Sequence, residues 1–308
     1  MSGALVVLSG GVGGAKLVEG AYALSERAGM VVIVNTGDDF CHLGLQISPD
    51  IDSVLYALAG YSDRERGWGR QGESWQFMQA IRELGGPTWF NLGDLDLATH
   101  VMRTLGMRDG QSLSEVTSRM ANAWAINAQI LPMTNEPVAT IIETNEGPLP
   151  FQRYFVERQC APALQGVHFQ GSSDASPAPG VVAALAGAAT IIIAPSNPFL
   201  SVDPILAVPG IREALEAAKA PVIAISPLIG GQSIKGPTSK IMAELGMAGS
   251  NDDIVAHYAG LIDGIVTHIS DPVPPTIESA QTDTLMQNSH DKSRVAQCAL
   301  DLARRITR

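Results

Sequence analysis

A run of glycines behind a short apolar strand governs what this chain can become. Leu5-Val6-Val7-Leu8 leads through Ser9 into Gly10-Gly11-Val12-Gly13-Gly14, and Ala15-Lys16-Leu17 follows. An unbroken apolar run predicts a strand buried on both faces, the habit of parallel sheets. The spacing after it predicts a helix from Ala15 to about Ala28. Strand, glycine turn and helix N-terminus make an anion site, because amides point outward, the helix dipole adds positive charge and missing Cβ atoms admit a phosphate. Gly10, Gly11, Gly13, Gly14 and Lys16 are therefore the candidate phosphate-binding residues. Ala15 between Gly14 and Lys16 rules out a Walker A loop, and Lys16 stands where a dinucleotide fingerprint needs its third glycine. The plain alternative is a tight turn that needs glycine only for packing.

A chain of 308 residues can bury a large core, as one α/β domain or two smaller ones. Its 45% hydrophobic and 17% charged content describes a compact enzyme-like protein. The net charge of −11 excludes a nucleic-acid surface, which needs a basic stripe, but leaves a nucleotide site open. Cys41, Cys160 and Cys298 share no metal or disulfide spacing, which points to a reducing cytoplasm. No signal peptide is expected, and no apolar run reaches the ~18 residues of a membrane span.

A second buried strand, residues 30–34, ends in Asn35-Thr36-Gly37-Asp38-Asp39. Acids at this place hold a ribose or a metal in α/β folds. Pro49 predicts a helix start, with Asp50 and Asp52 either capping it or facing the phosphate loop. Four carboxylates between Asp38 and Asp52 favour Mg²⁺, a cation that takes hard oxygen ligands and shares them with phosphates.

From about 61 to 173 the pattern changes to an α-rich inserted lobe within the single domain, 1–308. Helices are predicted at 73–84, 94–105 and 112–128, and strands at 138–143 and 151–156. Trp68, Trp75 and Trp89 fall here, and residues 64–70 suit a mobile polar loop. In the stretch from Trp89 to His100, Asp94 reads as a helix cap, and Asp96 and His100 are i,i+4 neighbours, an ordinary pair or a catalytic one. Parallel strands resume at 189–194, 222–225 and 264–269, and a closing helix covers about 292–306. Ser196 and Asn197 follow a strand end, where α/β sheets collect ligands. A second glycine loop, 230–237, carries Lys235, and 281–291 reads as a surface loop. The expected architecture is α/β: a Rossmann-like, mostly parallel sheet with helices on both faces.

These residues support a phosphate-binding, Mg²⁺-assisted enzyme without specifying a reaction. The motifs LSGGVGGAKL, VNTGDDF, SPDIDSVLYALAG, RGWG, FNLGDLDLATH, ILPM, FQRYFV, APSNPFLSVDPIL and ISPLIGG, in this order, do more. They closely resemble the 2-phospho-L-lactate transferase family of coenzyme F-420 biosynthesis. The resemblance runs from Leu8 to about Gly236. It implies a cytoplasmic homodimer that moves a phosphorylated three-carbon acid from a guanosine diphosphate conjugate to the ribityl hydroxyl of a deazaflavin, releasing GMP. The acid is lactate, enolpyruvate or glycerate in kind.

On that resemblance Mg²⁺ is held by Asp39 and Asp52, which are also the catalytic candidates. Asp39 is preferred to Asp38, where relatives vary more. Gly10–Lys16, Ser196 and Asn197 take the nucleotide, and Asp52, Trp89, Asn91 and Asp94 take the deazaflavin. Leu95 stands where relatives carry arginine, and Asn91 where a charge is common. A second reading is a non-catalytic regulatory protein of a related family that binds nucleotide-sugars through a similar glycine loop. A third, an NAD-dependent dehydrogenase, is weakened by the broken fingerprint.

Overall fold

The computed structural model describes residues 3–25, 29–233 and 236–306. Lys235 of the second glycine loop and the expected end of the first helix at Ala28 lie outside the described residues. The strands are β1 (Ala4–Ser9), β2 (Met30–Val34), β3 (Phe40–His42), β4 (Leu45–Ile47), β5 (Gln129–Pro132), β6 (Ala139–Thr144) and β7 (Gly147–Pro150). They continue with β8 (Leu164–Gln170), β9 (Ala188–Ile193), β10 (Val222–Ile225), β11 (Leu228–Ile229), β12 (Gln232–Ser233), β13 (Gly264–His268) and β14 (Glu278–Thr282). Seven form the main sheet in the order β14-β13-β10-β9-β1-β2-β5, and every pairing in it is parallel.

Side chains alternate across a strand, so each strand feeds two cores. Val6, Leu8, Ile33, Ile191, Ile193 and Val222 pack on one face, and Leu5, Val7, Val32, Val34, Ile192 and Ile223 on the other. The second face is covered by α1 (Gly11–Leu24), α2 (Pro49–Ala59), α5 (Leu113–Ala123) and α11 (Ser289–Arg305). Between α2 and α5 lie α3 (Gln76–Glu83) and α4 (Asp94–Arg108). The first face is covered by α6 (Val181–Ala186), α8 (Ile211–Glu216) and α10 (Asn251–His257), with α7 (Asp203–Leu206) and α9 (Thr238–Glu244) between them in sequence. The fold is α/β, as expected.

Several local expectations change. Residues 61–173 contain β5, which hydrogen-bonds to β2 as the edge of the main sheet, so that stretch is not purely an insertion. Beyond β5, β7-β6-β8 form a separate antiparallel sheet. Residues 151–157 are helical and not a strand, including a wide turn at Arg153–Glu157. β14, Glu-Ser-Ala-Gln-Thr, is a polar edge strand that its composition hides. α1 begins at Gly11, so the glycines are its first turn and not a loop before it. All three cysteines are free thiols. Among the described residues, no helix is long and apolar enough to cross a membrane.

The topology singles out one place. From β1 the chain moves to β2 on one side, and β9 lies on the other. The crevice between diverging connections at such a switch point, at the carboxyl ends of the strands, is where open α/β sheets bind ligands.

Candidate active site

Ser9, Gly10 and Ser196 meet at that switch point. The Gly10 amide donates to Ser196 Oγ at 3.2 Å, and Ser196 Oγ donates back to the Gly10 carbonyl at 2.7 Å. The Gly11 amide donates to Asp50 Oδ1 at 2.7 Å. Two of the expected phosphate-binding amides are thus claimed by protein, and a carboxylate from α2 occupies the positive end of α1. Lys16 Nζ donates to the Met286 carbonyl at 3.0 Å, which ties it to the segment before α11. Asn197 caps the turn after β9, its Oδ1 accepting from the amides of Phe199 and Leu200, while its Nδ2 is buried without an acceptor.

The glycines are packing requirements as well. A Cβ on Gly13 would lie 2.8 Å from the Pro195 carbonyl oxygen, and one on Gly14 2.5 Å from Ser9 Oγ. Gly11 has φ +65°, a conformation that other residues adopt only with strain. At Gly13 the packing alternative therefore has a direct structural basis. Gly13→Val should cost about 1–3 kcal/mol of stability through overpacking, seen as an earlier urea midpoint before any ligand is added.

Opposite the glycines lie the acids. Asp38, Asp50 and Asp52 are buried. Asp50 accepts from Gly11 and from Asn35 Nδ2 at 2.9 Å, so it caps α1 and not its own helix. Asp39 Oδ2 accepts from Ser48 Oγ at 2.6 Å. Asp39 Oδ1, Asp38 Oδ1, Thr36 Oγ1 and Ser9 Oγ are buried without a partner. Buried polar atoms almost always have partners, so these four orphans, at the end of β1 and in the segment after β2, point to something that binds there. Burial pushes the Asp38 and Asp39 carboxyls well above the usual range, with the Asp50 charge adding at Asp38.

Burial also pushes Asp50 up to about 6. Its folded pKa exceeds the unfolded value of ~3.9, so its contribution is full below pH ~4 and is lost as pH rises through ~6. The wild type should lose about 2–3 kcal/mol across that window relative to Asp50→Asn, which keeps an acceptor but no charge. Urea denaturation of both proteins from acid to neutral pH measures this difference. A constant difference would show that burial does not hold the Asp50 proton.

Asp52 looks away from Asp50, toward α4. Its carboxylate forms a two-point ion pair with Arg103, whose guanidinium is fully buried and also donates to the Gln46 carbonyl at 3.2 Å. His100 bridges two acids, with Nδ1 3.6 Å from Asp52 Oδ2 and Nε2 3.5 Å from Asp96 Oδ2. Tyr56 donates to Asp96 and accepts from the Thr99 hydroxyl. Ligand atoms of Asp52, Asp96 and His100 lie within 4.8 Å of one another, a spacing that fits a metal. Arg103 already supplies the positive charge there. Burial raises the Asp52 carboxyl despite the opposing Arg103 charge. Sequence reading missed Arg103. A lone arginine on a helix carries no signal until a partner 51 positions away is brought to it.

The residues expected to meet the deazaflavin separate into three settings. Trp89 packs with Phe40, His42 and Phe90, and the Arg153 guanidinium lies 4.0 Å over its ring. Asn91 is exposed and lines a surface cavity of about 560 Å³ with Trp68, Trp75 and Met78. Asp94 is engaged as a cap, accepting from the amides of Gln76 and Phe77 at the start of α3. Glu73 returns the interaction by accepting from the amides of Leu95 and Asp96 at the start of α4. Arg66 lies over both Trp68 and Trp75, so the expected mobile loop is held by aromatic contacts.

The sequence profile of 2-phospho-L-lactate transferase CofD matches residues 5–306. The chain belongs to the 2-phospho-L-lactate transferase CofD family. It is a transferase of the family that acts in coenzyme F-420 biosynthesis, as its motifs implied. A phosphoenolpyruvate transferase of Kitasatospora aureofaciens is 38% identical over 98% of this chain and 98% of its own. A 2-phospho-L-lactate transferase of Methanosarcina mazei is 35% identical over 95% of this chain and 98% of its own. A solved UPF0052-family protein of Bacillus halodurans shares the CofD fold with a TM-score of 0.65, covering 97% of this chain and 99% of its own at 17% identity.

Proposed function

We propose that this CofD-family chain transfers a phosphorylated three-carbon acid from a guanosine diphosphate conjugate to the ribityl hydroxyl of a deazaflavin. The hydroxyl oxygen bonds to the phosphorus that carries the acid, the bond from that phosphorus to GMP breaks, and the hydroxyl proton passes to a carboxylate. The observation that carries this reading is the pair of orphaned oxygens on Asp38 and Asp39, in the segment that follows β2 beside the switch point and close to Asp50, which caps α1. Relatives that act on phosphoenolpyruvate and on 2-phospho-L-lactate both align over nearly the whole chain, which supports the class of acid and leaves its member open.

The charge balance supports a divalent cation. A diphosphate brought beside Asp38, Asp39 and Asp50 meets repulsion, and Lys16 is tied to Met286. The donor set fits Mg²⁺, because Asp39 Oδ1 and Asp38 Oδ1 are hard oxygens with no protein partner. In this reading Asp39 and Asp38 would hold the ion, while Asp52 is engaged by Arg103 and groups with Asp96 and His100. The ion supplies neutralisation of the charge that develops on the transferring group. The amides of Val12 and Gly13, in the first turn of α1 where no intrahelical acceptor exists, and the Asn197 Nδ2 donor are groups suited to orient the phosphates. Aromatic surface around Trp68, Trp75 and Trp89 suits the apolar ring of the acceptor, with Asn91 at its edge.

The test is mass spectrometry of the product formed from deazaflavin, GTP and each of phospholactate, phosphoenolpyruvate and phosphoglycerate, with an activating enzyme present. A product heavier by one phospho-acid less one water, with GMP released in equal amount, is expected for one acid. No transfer with any of them would remove the reading and favour the second one, a nucleotide-sugar-binding regulator.

A further inference from the structure

His42 ends β3 among aromatic rings. Trp89 and Phe90 stand edge-on to it with centroids at 5.1 and 5.7 Å, and Phe40 lies at 6.1 Å. The residue is only 5% exposed, yet its Nε2 is buried without a hydrogen-bond partner among the described residues. The other ring nitrogen bonds to the Phe90 backbone. That bond favours the protonated ring, so the backbone group is a carbonyl and Nδ1 carries the hydrogen. Burial and the nearby Arg153 charge hold the imidazole below its usual pKa, which keeps it neutral. Nε2 is thus an acceptor whose lone pair goes unused unless something donates to it. Its place matters as well. β3 follows Asp39 directly, and three residues of extended chain span about 10 Å. Arg153 lies 4.0 Å over the Trp89 ring, and its neighbour Gln152 donates to the Asp38 carbonyl at 3.5 Å. The aromatic wall is therefore tied at two points to the segment that carries the orphaned acids.

We infer that His42 Nε2 accepts a hydrogen bond from the imide N–H of the acceptor's ring system, and so selects a ring that bears a pyrimidinedione edge. This rests on the proposed acceptor being a deazaflavin. That ring system offers two kinds of donor. Its phenolic hydroxyl is conjugated with a ring carbonyl, so it ionises readily, and an anion cannot donate. The imide N–H keeps its hydrogen at neutral pH, and the carbonyls on either side of it accept. A neutral ring nitrogen matches the N–H, and Arg153 matches a carbonyl. The Arg153 guanidinium carries five N–H donors, and Glu157 engages its Nη1. The rings of Trp89, Phe40 and Phe90 supply the apolar surface that such a heterocycle packs against. One polar atom in that surface fixes orientation at little cost in apolar area, the usual design of a small-molecule site.

Fluorescence titration of the full-length chain tests this with three probes: the deazaflavin, riboflavin, and riboflavin methylated at the imide nitrogen. Riboflavin keeps the ribityl chain and the imide edge but lacks the hydroxyl. His42→Phe keeps a ring in the cluster and removes the acceptor. It should raise the dissociation constants of deazaflavin and riboflavin alike, by about 3- to 10-fold. His42→Gln, whose amide oxygen reaches the place of Nε2, should recover most of that loss. The methylated riboflavin should bind wild type and His42→Phe equally. A loss confined to the deazaflavin would move the contact to the hydroxyl and overturn the inference, as would an unchanged deazaflavin affinity in His42→Phe. A wild type that binds no deazaflavin would remove the acceptor reading itself, and this inference with it.

Discussion

Exchange of Arg103 for methionine is expected to destabilise the protein by about 3–5 kcal/mol at pH 7 and to lower turnover ~10²-fold or more. The guanidinium is fully buried and neutralises Asp52, which is itself buried beside Asp96 and His100. Methionine fills the volume but leaves an unpaired carboxylate in the interior, the costly way to break a buried pair. That cost shrinks when Asp52 takes a proton. The variant should therefore lose less stability at pH 5 than at pH 7, because a carboxyl raised by burial stabilises the fold below its folded pKa and not above it. Urea denaturation at the two pH values checks the sign, and a loss below ~1 kcal/mol at pH 7 would show that the pair is effectively solvated. Adding Asp52→Asn should restore much of the stability and none of the activity.

Asp39→Asn should separate the same two quantities in the opposite sense. Turnover falls ~10²-fold or more if the carboxylate holds a divalent ion. Stability at pH 7 stays level or rises, because the variant removes a charge that burial disfavours and leaves Ser48 a hydrogen-bonding partner. Initial rates at saturating substrate, beside urea midpoints, measure the pair of effects. Full turnover by Asp39→Asn, or by the wild type in excess EDTA, would take the metal out of the mechanism. Asp52→Asn differs, because it strands Arg103 and should lower both activity and stability.

What the sequence disclosed follows physical lines. Strands β1, β2, β9, β10 and β13 are buried on both faces, so their composition alone marks them. β14 is a polar edge strand and has no such mark. The glycine turn and the acids of residues 35–52 were legible as one neighbourhood because motif spacing keeps them local. Who bonds whom inside it was not. Asp50 serves the start of α1 across 39 positions, and Ser196 reaches Gly10 across 186, relations that only folding creates. Ser112 and Glu115, three positions apart, form a capping box, a relation short enough for spacing alone to carry.

The exchange of caps between Glu73 and Asp94 gives the lobe a mechanical property. Each carboxylate belongs to the segment that leads into one helix and seals the start of the other. Moving α3 away from α4 strips both ends at once, at ~1 kcal/mol for each cap lost. Any opening of the cavity beside Trp68, Trp75 and Asn91 therefore carries α4 along, and with it Asp96, His100 and Arg103. In the proposed reaction, admission of the acceptor and alignment of the Asp52 carboxylate would then be geared to a single displacement, a door on one side of the lobe acting as a trigger on the other.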